Sequence, residues 1–103
     1  RVAVPDGWVV DSNVRLQHEV TVETINDAVR SAADDGPISK VLQYSNLPVV
    51  STDIIGNKYS SIFDAPFTRV IKGNFVKTLN WYDNEWGYAS RVVDLIGLLG
   101  KLI

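Results

Sequence analysis

The chain has 103 residues, 46% of them apolar and 21% charged, with 7 Gly and 4 Pro, which is the composition of one globular domain and not of a disordered tail. Lys and Arg number 10 against 12 Asp and Glu, a net charge of −2, so there is no basic field to draw nucleic acid or an anionic membrane surface. With no Cys and a single His, the chain contains no disulfide framework, no thiol nucleophile and no ordinary zinc site. Its apolar runs fall well short of the roughly 20 residues that a membrane span needs.

The chain starts at Arg1 and runs at once into Val2-Ala3-Val4-Pro5, a β-rich beginning with neither Met nor a secretory segment. Such a start reads as the middle of a strand and creates the expectation that the segment was cut from something longer. Pro5-Asp6-Gly7 is a turn, and a second strand is predicted from about Trp8 to Glu19. Thr21 is placed as an N-cap, with Val20 and Ile25 as a hydrophobic staple and Glu23 in the positive first turn. Val22, Ile25, Ala28, Val29, Ala32 and Ala33 then form the stripe of an amphipathic helix that Gly36-Pro37 closes.

Beyond Ile38 the pattern changes to short apolar runs separated by polar breaks. Five strands are predicted: 38–44, 49–55, 60–64, 68–71 and 75–82. Lys72-Gly73-Asn74 supplies a permissive backbone for a tight reversal, so the last two should form an antiparallel hairpin. A final helix begins near Asp83 or Asn84 and is expected to bury Tyr88, Val92, Leu95, Ile96, Leu99 and Leu102. The order of elements predicts an α+β fold: a mixed, largely antiparallel sheet of about seven strands with two helices packed on one face. The opposite face should then carry apolar surface of the kind that meets another sheet or subunit.

Few residues propose themselves for chemistry. His18 stands in a polar approach beside Glu19 and reads as a surface histidine. Asp34 and Asp35 mark the solvated exit of a helix, and Gly97-Leu98-Leu99-Gly100 lies in an apolar helix that does not suit a nucleic-acid clamp. The exception is Asn80-Trp81-Tyr82-Asp83-Asn84-Glu85-Trp86-Gly87-Tyr88, which sets amides and rings where a strand hands over to a helix. Read as structure alone, Asp83 or Asn84 is the helix cap, Glu85 is the first-turn acid and the aromatics are core.

The run from Trp81 to Tyr88, continued by Ser90-Arg91-Val92-Val93-Asp94-Leu95, resembles the C-terminal signature of phosphorylating glyceraldehyde-3-phosphate dehydrogenase. The likeness extends in order along almost the whole chain. It includes Arg1-Val2, Val4-Pro5, Val9-Val10-Asp11, Val20-Thr21-Val22-Glu23, Ile25-Asn26, Val50-Ser51-Thr52-Asp53-Ile54-Ile55-Gly56 and Ser60-Ser61-Ile62-Phe63-Asp64-Ala65.

The resemblance implies an NAD-dependent oxidoreductase that converts glyceraldehyde 3-phosphate and inorganic phosphate to 1,3-bisphosphoglycerate in glycolysis. It works through a cysteine thioester with a histidine base, as a cytoplasmic homotetramer. Residues 1–103 then correspond to the C-terminal portion of the catalytic domain. The dinucleotide-binding domain, the catalytic Cys and the base His would all precede Arg1, so this segment supplies no catalytic residue and no metal ligand and is expected to be inactive alone.

Three positions carry over by the resemblance. Asn84 matches the asparagine whose amide holds the nicotinamide carboxamide, Tyr88 the tyrosine beside the nicotinamide, and Arg1 the arginine that binds substrate phosphate through its permanently charged fork. Ala3 stands where the family often has Pro. Thr68-Arg69-Val70 and Lys77-Thr78-Leu79 lean towards the erythrose-4-phosphate branch, whereas Tyr82 fits the glycolytic signature. The rival reading, from another class, is a non-catalytic, self-associating structural module whose broad sheet face pairs with a second copy.

Overall fold

The computed structural model describes residues 5–103, so the first strand expected at Val2–Val4, and Arg1 with it, lies outside the described residues. In chain order the elements are β1 (Trp8–Arg15), α1 (Val22–Asp34), β2 (Leu42–Ser45), α2 (Ser51–Ile54), β3 (Ser61–Asp64), a 3-10 turn (Ala65–Phe67), β4 (Arg69–Ile71), β5 (Phe75–Tyr82) and α3 (Asn84–Leu102). This is the α+β mixed sheet that the sequence predicts, with five strands among the described residues.

β5 organises the sheet. Along one edge it pairs antiparallel with all of β1, from Trp8 opposite Tyr82 to Arg15 opposite Phe75. Its other edge is shared: β4 pairs with the first half and β3 with the second, Ile62 lying opposite Trp81. β2 adds to β3 in parallel, which makes the sheet mixed. The predicted hairpin forms as expected, Ile71 facing Phe75 across Lys72-Gly73-Asn74. Lys72 and Gly73 adopt φ of 53° and 84°, the left-handed backbone that a three-residue reversal demands.

Buried apolar residues cluster where β3 meets β5. Ile62 and Phe63 point to opposite faces yet both are buried, so β3 is covered on both sides, with Ile54, Ala65 and Val76 completing the core. Thr21 caps α1 as predicted, its Oγ1 accepting from the N–H of Thr24 at 3.1 Å. Asn26 fastens that helix to the 3-10 turn by donating to the Ala65 carbonyl and accepting from the buried Thr68 hydroxyl at 2.7 Å.

Two expectations need correction. Residues 49–55 were predicted as a strand on their Val and Ile content, but Ser51–Ile54 is a helical turn. Asp53 Oδ2 reaches back to accept from the Val50 N–H at 2.9 Å, and Ile54 is driven into the core, so local capping and burial override β-propensity. Likewise the strand expected over 38–44 begins only at Leu42, because the N–H groups of Val41 and Leu42 both turn back to the Ile38 carbonyl, and the strand expected from Trp8 to Glu19 ends at Arg15.

The second correction concerns α3, which was expected to bury its apolar side chains. Tyr88 is 74% exposed, Leu95, Ile96 and Leu99 are at least half exposed and Leu102 is 77% exposed; only Gly87 is buried. The helix is held at its N-terminus and leaves the sheet, so among the described residues little covers its apolar side chains. The radius of gyration, 15.4 Å, reflects the projection, against roughly 13 Å for a compact domain of this length.

Gly7 fixes how the chain enters this arrangement. Its φ is +93°, and a Cβ there would stand 2.8 Å from the Ser51 carbonyl oxygen, so the Pro5–Gly7 turn lies directly against the start of α2. Gly7→Ala should cost about 2 kcal/mol from the backbone conformation alone, and more from the clash, seen as a lowered midpoint in urea unfolding with an unchanged slope.

Candidate functional site

The site region is the seam where β5 ends and α3 begins. Trp81 is the penultimate residue of the strand, and its indole Nε1 donates to Asp64 Oδ2 at 2.8 Å, so the ring is tied across to β3. The other Asp64 oxygen is buried without a hydrogen-bond partner among the described residues. On the opposite face of the strand, Tyr82 stacks on Trp8 with ring centroids 6.5 Å apart.

Asp83 follows, 2% exposed, and is the cap of α3. Its Oδ1 accepts from the N–H groups of Glu85 at 3.2 Å and Trp86 at 3.0 Å, while Oδ2 accepts from the N–H of Gly56 at 2.9 Å. Asp83 being the cap settles an ambiguity in the sequence: Asn84 is not needed for capping. It sits exposed at the first helical position, and Tyr88 projects from the same helix face one turn later, also exposed.

The helix start is seated from below. Gly87 packs on the Tyr59–Ser60 backbone, where an added Cβ would meet the Tyr59 carbonyl oxygen at an ordinary 3.5 Å. Arg91 donates to the Ser60 hydroxyl at 2.8 Å and pairs with Asp94 through Nε. Trp86 is 55% exposed, so with Tyr88 it departs from the reading of these aromatics as core. Arg1, the third residue singled out, lies outside the described residues.

Asp6, in the entry turn, brings a second carboxyl against Asp83. Burial pushes the Asp83 carboxyl upward. The N–H groups of Gly56 and Trp86, a hydrogen bond from Asp6 and the N–H of Glu85 together outweigh that and hold it below the ordinary 3.8. Asp6 moves the other way, raised by desolvation and by its hydrogen bond to Asp83, against the opposing pull of the Gly7 N–H. The pair therefore retains one proton longer than two free carboxylates would. Neither the bridge from Asp83 to Gly56 nor the approach of Asp6 has a signal in the sequence beyond turn chemistry, because the three residues are separated by 27 positions or more.

Residues 1–84 match the family model described as "Glyceraldehyde 3-phosphate dehydrogenase, C-terminal domain". The chain belongs to that family. It is 46% identical over 101 residues to the glyceraldehyde-3-phosphate dehydrogenase of Mycolicibacterium smegmatis, covering 98% of this chain and 29% of the relative. For the enzyme of the same name from Streptomyces coelicolor the figures are 48%, 98% and 30%. Glyceraldehyde-3-phosphate dehydrogenase 1 of Caenorhabditis elegans is 48% identical over 99 residues, with 96% and 29% covered. The chain thus spans about three-tenths of the length of these curated relatives. The family model stops at Asn84, while the alignments to the whole enzymes also take in nearly all of the helix that carries Tyr88.

Other features add no competing site. Among the described residues no group of three or more His, Cys, Asp or Glu could hold a metal ion, and no helix is long and apolar enough to cross a membrane. An open cleft of about 360 Å³ lies between α1 and β2, lined by Arg30, Asp34, Gln43, Tyr44 and Tyr59, and neither Asn84 nor Tyr88 lines it.

The carboxyl pair makes a prediction about pH. A carboxyl lowered by folding, as in Asp83, contributes stability that is complete above about 3.8 and lost as pH falls through its folded value. One raised by folding, as in Asp6, contributes at low pH and loses that contribution as pH rises through its folded value. Asp6→Asn keeps a donor for Asp83 and an acceptor for the Gly7 N–H but cannot ionise. Its melting temperature should exceed that of the parent at pH 7, and the difference should close as pH falls below about 4.

Proposed function

We propose that this domain is the C-terminal portion of the catalytic domain of an NAD-dependent phosphorylating glyceraldehyde-3-phosphate dehydrogenase. In the whole protein the dinucleotide-binding domain would lie upstream. The reaction is the oxidation of glyceraldehyde 3-phosphate with inorganic phosphate to 1,3-bisphosphoglycerate, the glycolytic step, in a cytoplasmic homotetramer. Support comes from family membership and from relatives of that name along nearly the full chain.

The observation that carries the site reading is the division of labour at the helix start. Asp83 satisfies the free N–H groups, which leaves the Asn84 carboxamide exposed with both its donor and its acceptor available. A nicotinamide carboxamide presents the complementary pair, so the residue fits the group. NAD, when bound, supplies the hydride acceptor. Asn84 would hold the carboxamide and so select which ring face is presented, and the exposed Tyr88 ring would limit the ring's alternative positions. Arg1 would bind phosphate through its guanidinium. No residue of this segment is assigned a proton transfer or a covalent step, since it contains no thiol and its one imidazole, His18, precedes α1 far from the α3 seam in sequence.

A second reading has its own observation. Trp8, Val9, Val10 and Val14 of β1 are each 44–48% exposed, and α3 is apolar around much of its circumference, which also fits a module that self-associates. One experiment separates the two. The chain is fused in place of the corresponding 101 residues of the S. coelicolor relative, and NAD reduction is followed with glyceraldehyde 3-phosphate and phosphate. The fusion should turn over, and Asn84→Ala should raise the KM for NAD by about tenfold. The isolated chain should show no turnover. An inactive fusion of correct assembly state would favour the structural module, whereas an active fusion whose Asn84→Ala variant keeps its KM would overturn the nicotinamide contact at Asn84 alone.

A further inference from the structure

A helix cap needs one acceptor oxygen, and Asp83 has a second that is spent elsewhere. While Oδ1 takes the Glu85 and Trp86 N–H groups, Oδ2 is turned to the N–H of Gly56, on the loop that leaves α2. Gly56 has φ +83°, a backbone state that suits glycine, so the loop is shaped to present that N–H. The carboxylate is 2% exposed, and a charge-assisted hydrogen bond away from water is short-ranged and directional.

The consequence falls on Asn84 and Tyr88. Asn84 opens the first turn of α3, immediately after the cap, Tyr88 opens the second on the same face, and beyond Gly87 the helix body is not buried against the sheet. Rotation of that turn about its axis would swing both side chains together. Among the described residues it is checked by the Asp83 bridge, by the seating of Gly87 on Tyr59–Ser60 and by Arg91 on Ser60. Of these the Asp83 bridge is the one adjacent to Asn84.

We propose that Asp83 is a positioning residue for cofactor orientation, tying the first turn of α3 to the Gly56 loop so that the Asn84 carboxamide and the Tyr88 ring keep one direction. The inference rests on the reading of Asn84 as the nicotinamide contact. It goes beyond capping, because a serine at position 83 caps a helix well but is too short to bridge to Gly56 as well. An asparagine would set an amide donor against a donor if its oxygen served the cap.

The test uses the same fusion enzyme with Asp83→Ser, Gly56→Ala and Asn84→Ala, recording thermal melts and the separate values of KM for NAD and kcat. Gly56→Ala disturbs the loop from the far side and leaves the cap intact; a Cβ there meets no atom within 4 Å, so its effect comes from the left-handed backbone. Asp83→Ser and Gly56→Ala should each lower the melting temperature yet keep one cooperative transition above the assay temperature, raise the KM for NAD severalfold, towards the roughly tenfold effect of Asn84→Ala, and lower kcat. A merely structural role would reduce the folded fraction and hence apparent kcat while leaving KM unchanged. Unchanged KM in both variants, with Asn84→Ala still impaired, would overturn the positioning role and leave the nicotinamide reading intact. Unchanged KM in Asn84→Ala would overturn that reading and this proposal with it. Should Asp83→Ser fail to fold, Gly56→Ala decides alone.

Discussion

The Asp83 carboxylate is the constraint on which the local architecture depends. It lies where β5, the strand that pairs with β1, β3 and β4, becomes α3, and it joins that junction to the loop after α2 and to the entry turn at Asp6. A buried carboxylate is costly unless its lone pairs are filled, and here three backbone N–H groups fill them. The same arrangement that makes the charge tolerable therefore brings three separate chain segments together at one point. Gly7 reinforces it from the side, since only a residue without Cβ lets the entry turn lie against Ser51.

The division between Asp83 and Asn84 shows how a site is assembled from neighbouring residues of similar chemistry. Both can cap a helix, and in sequence they are interchangeable candidates. In the structure the first is buried and saturated and the second is exposed with its amide available. The exposed apolar surfaces belong to the same picture. Among the described residues, β1 and the length of α3 show apolar side chains to water.

Much of the fold was legible because its signals are local. The Thr21 cap, the α1 stripe, the 68–82 hairpin and the start of the last helix each depend on residues within one or two turns of one another, and each appears close to where it was expected. The failures came where tertiary contacts decide. The Val49–Ile55 run has strand composition, yet Asp53 closing on Val50 and the burial of Ile54 make Ser51–Ile54 helical. The apolar periodicity of α3 marks surface that would gain from burial, but periodicity cannot say that little among the described residues covers it.

The sequence by itself determined the family, the α+β class and the position of the strand-to-helix junction, because long ordered motifs and short-range capping and turn chemistry are written in adjacent residues. Tertiary structure alone decided which of two capping residues is consumed, that Gly56 and Asp6 converge on Asp83, and that the last helix stands clear of the sheet. The burial of Asp83 and its meeting with Gly56 and Asp6 depend on groups 27 or more residues apart, set by strand register and by the direction of a helix axis, and neither is encoded in any single stretch of chain.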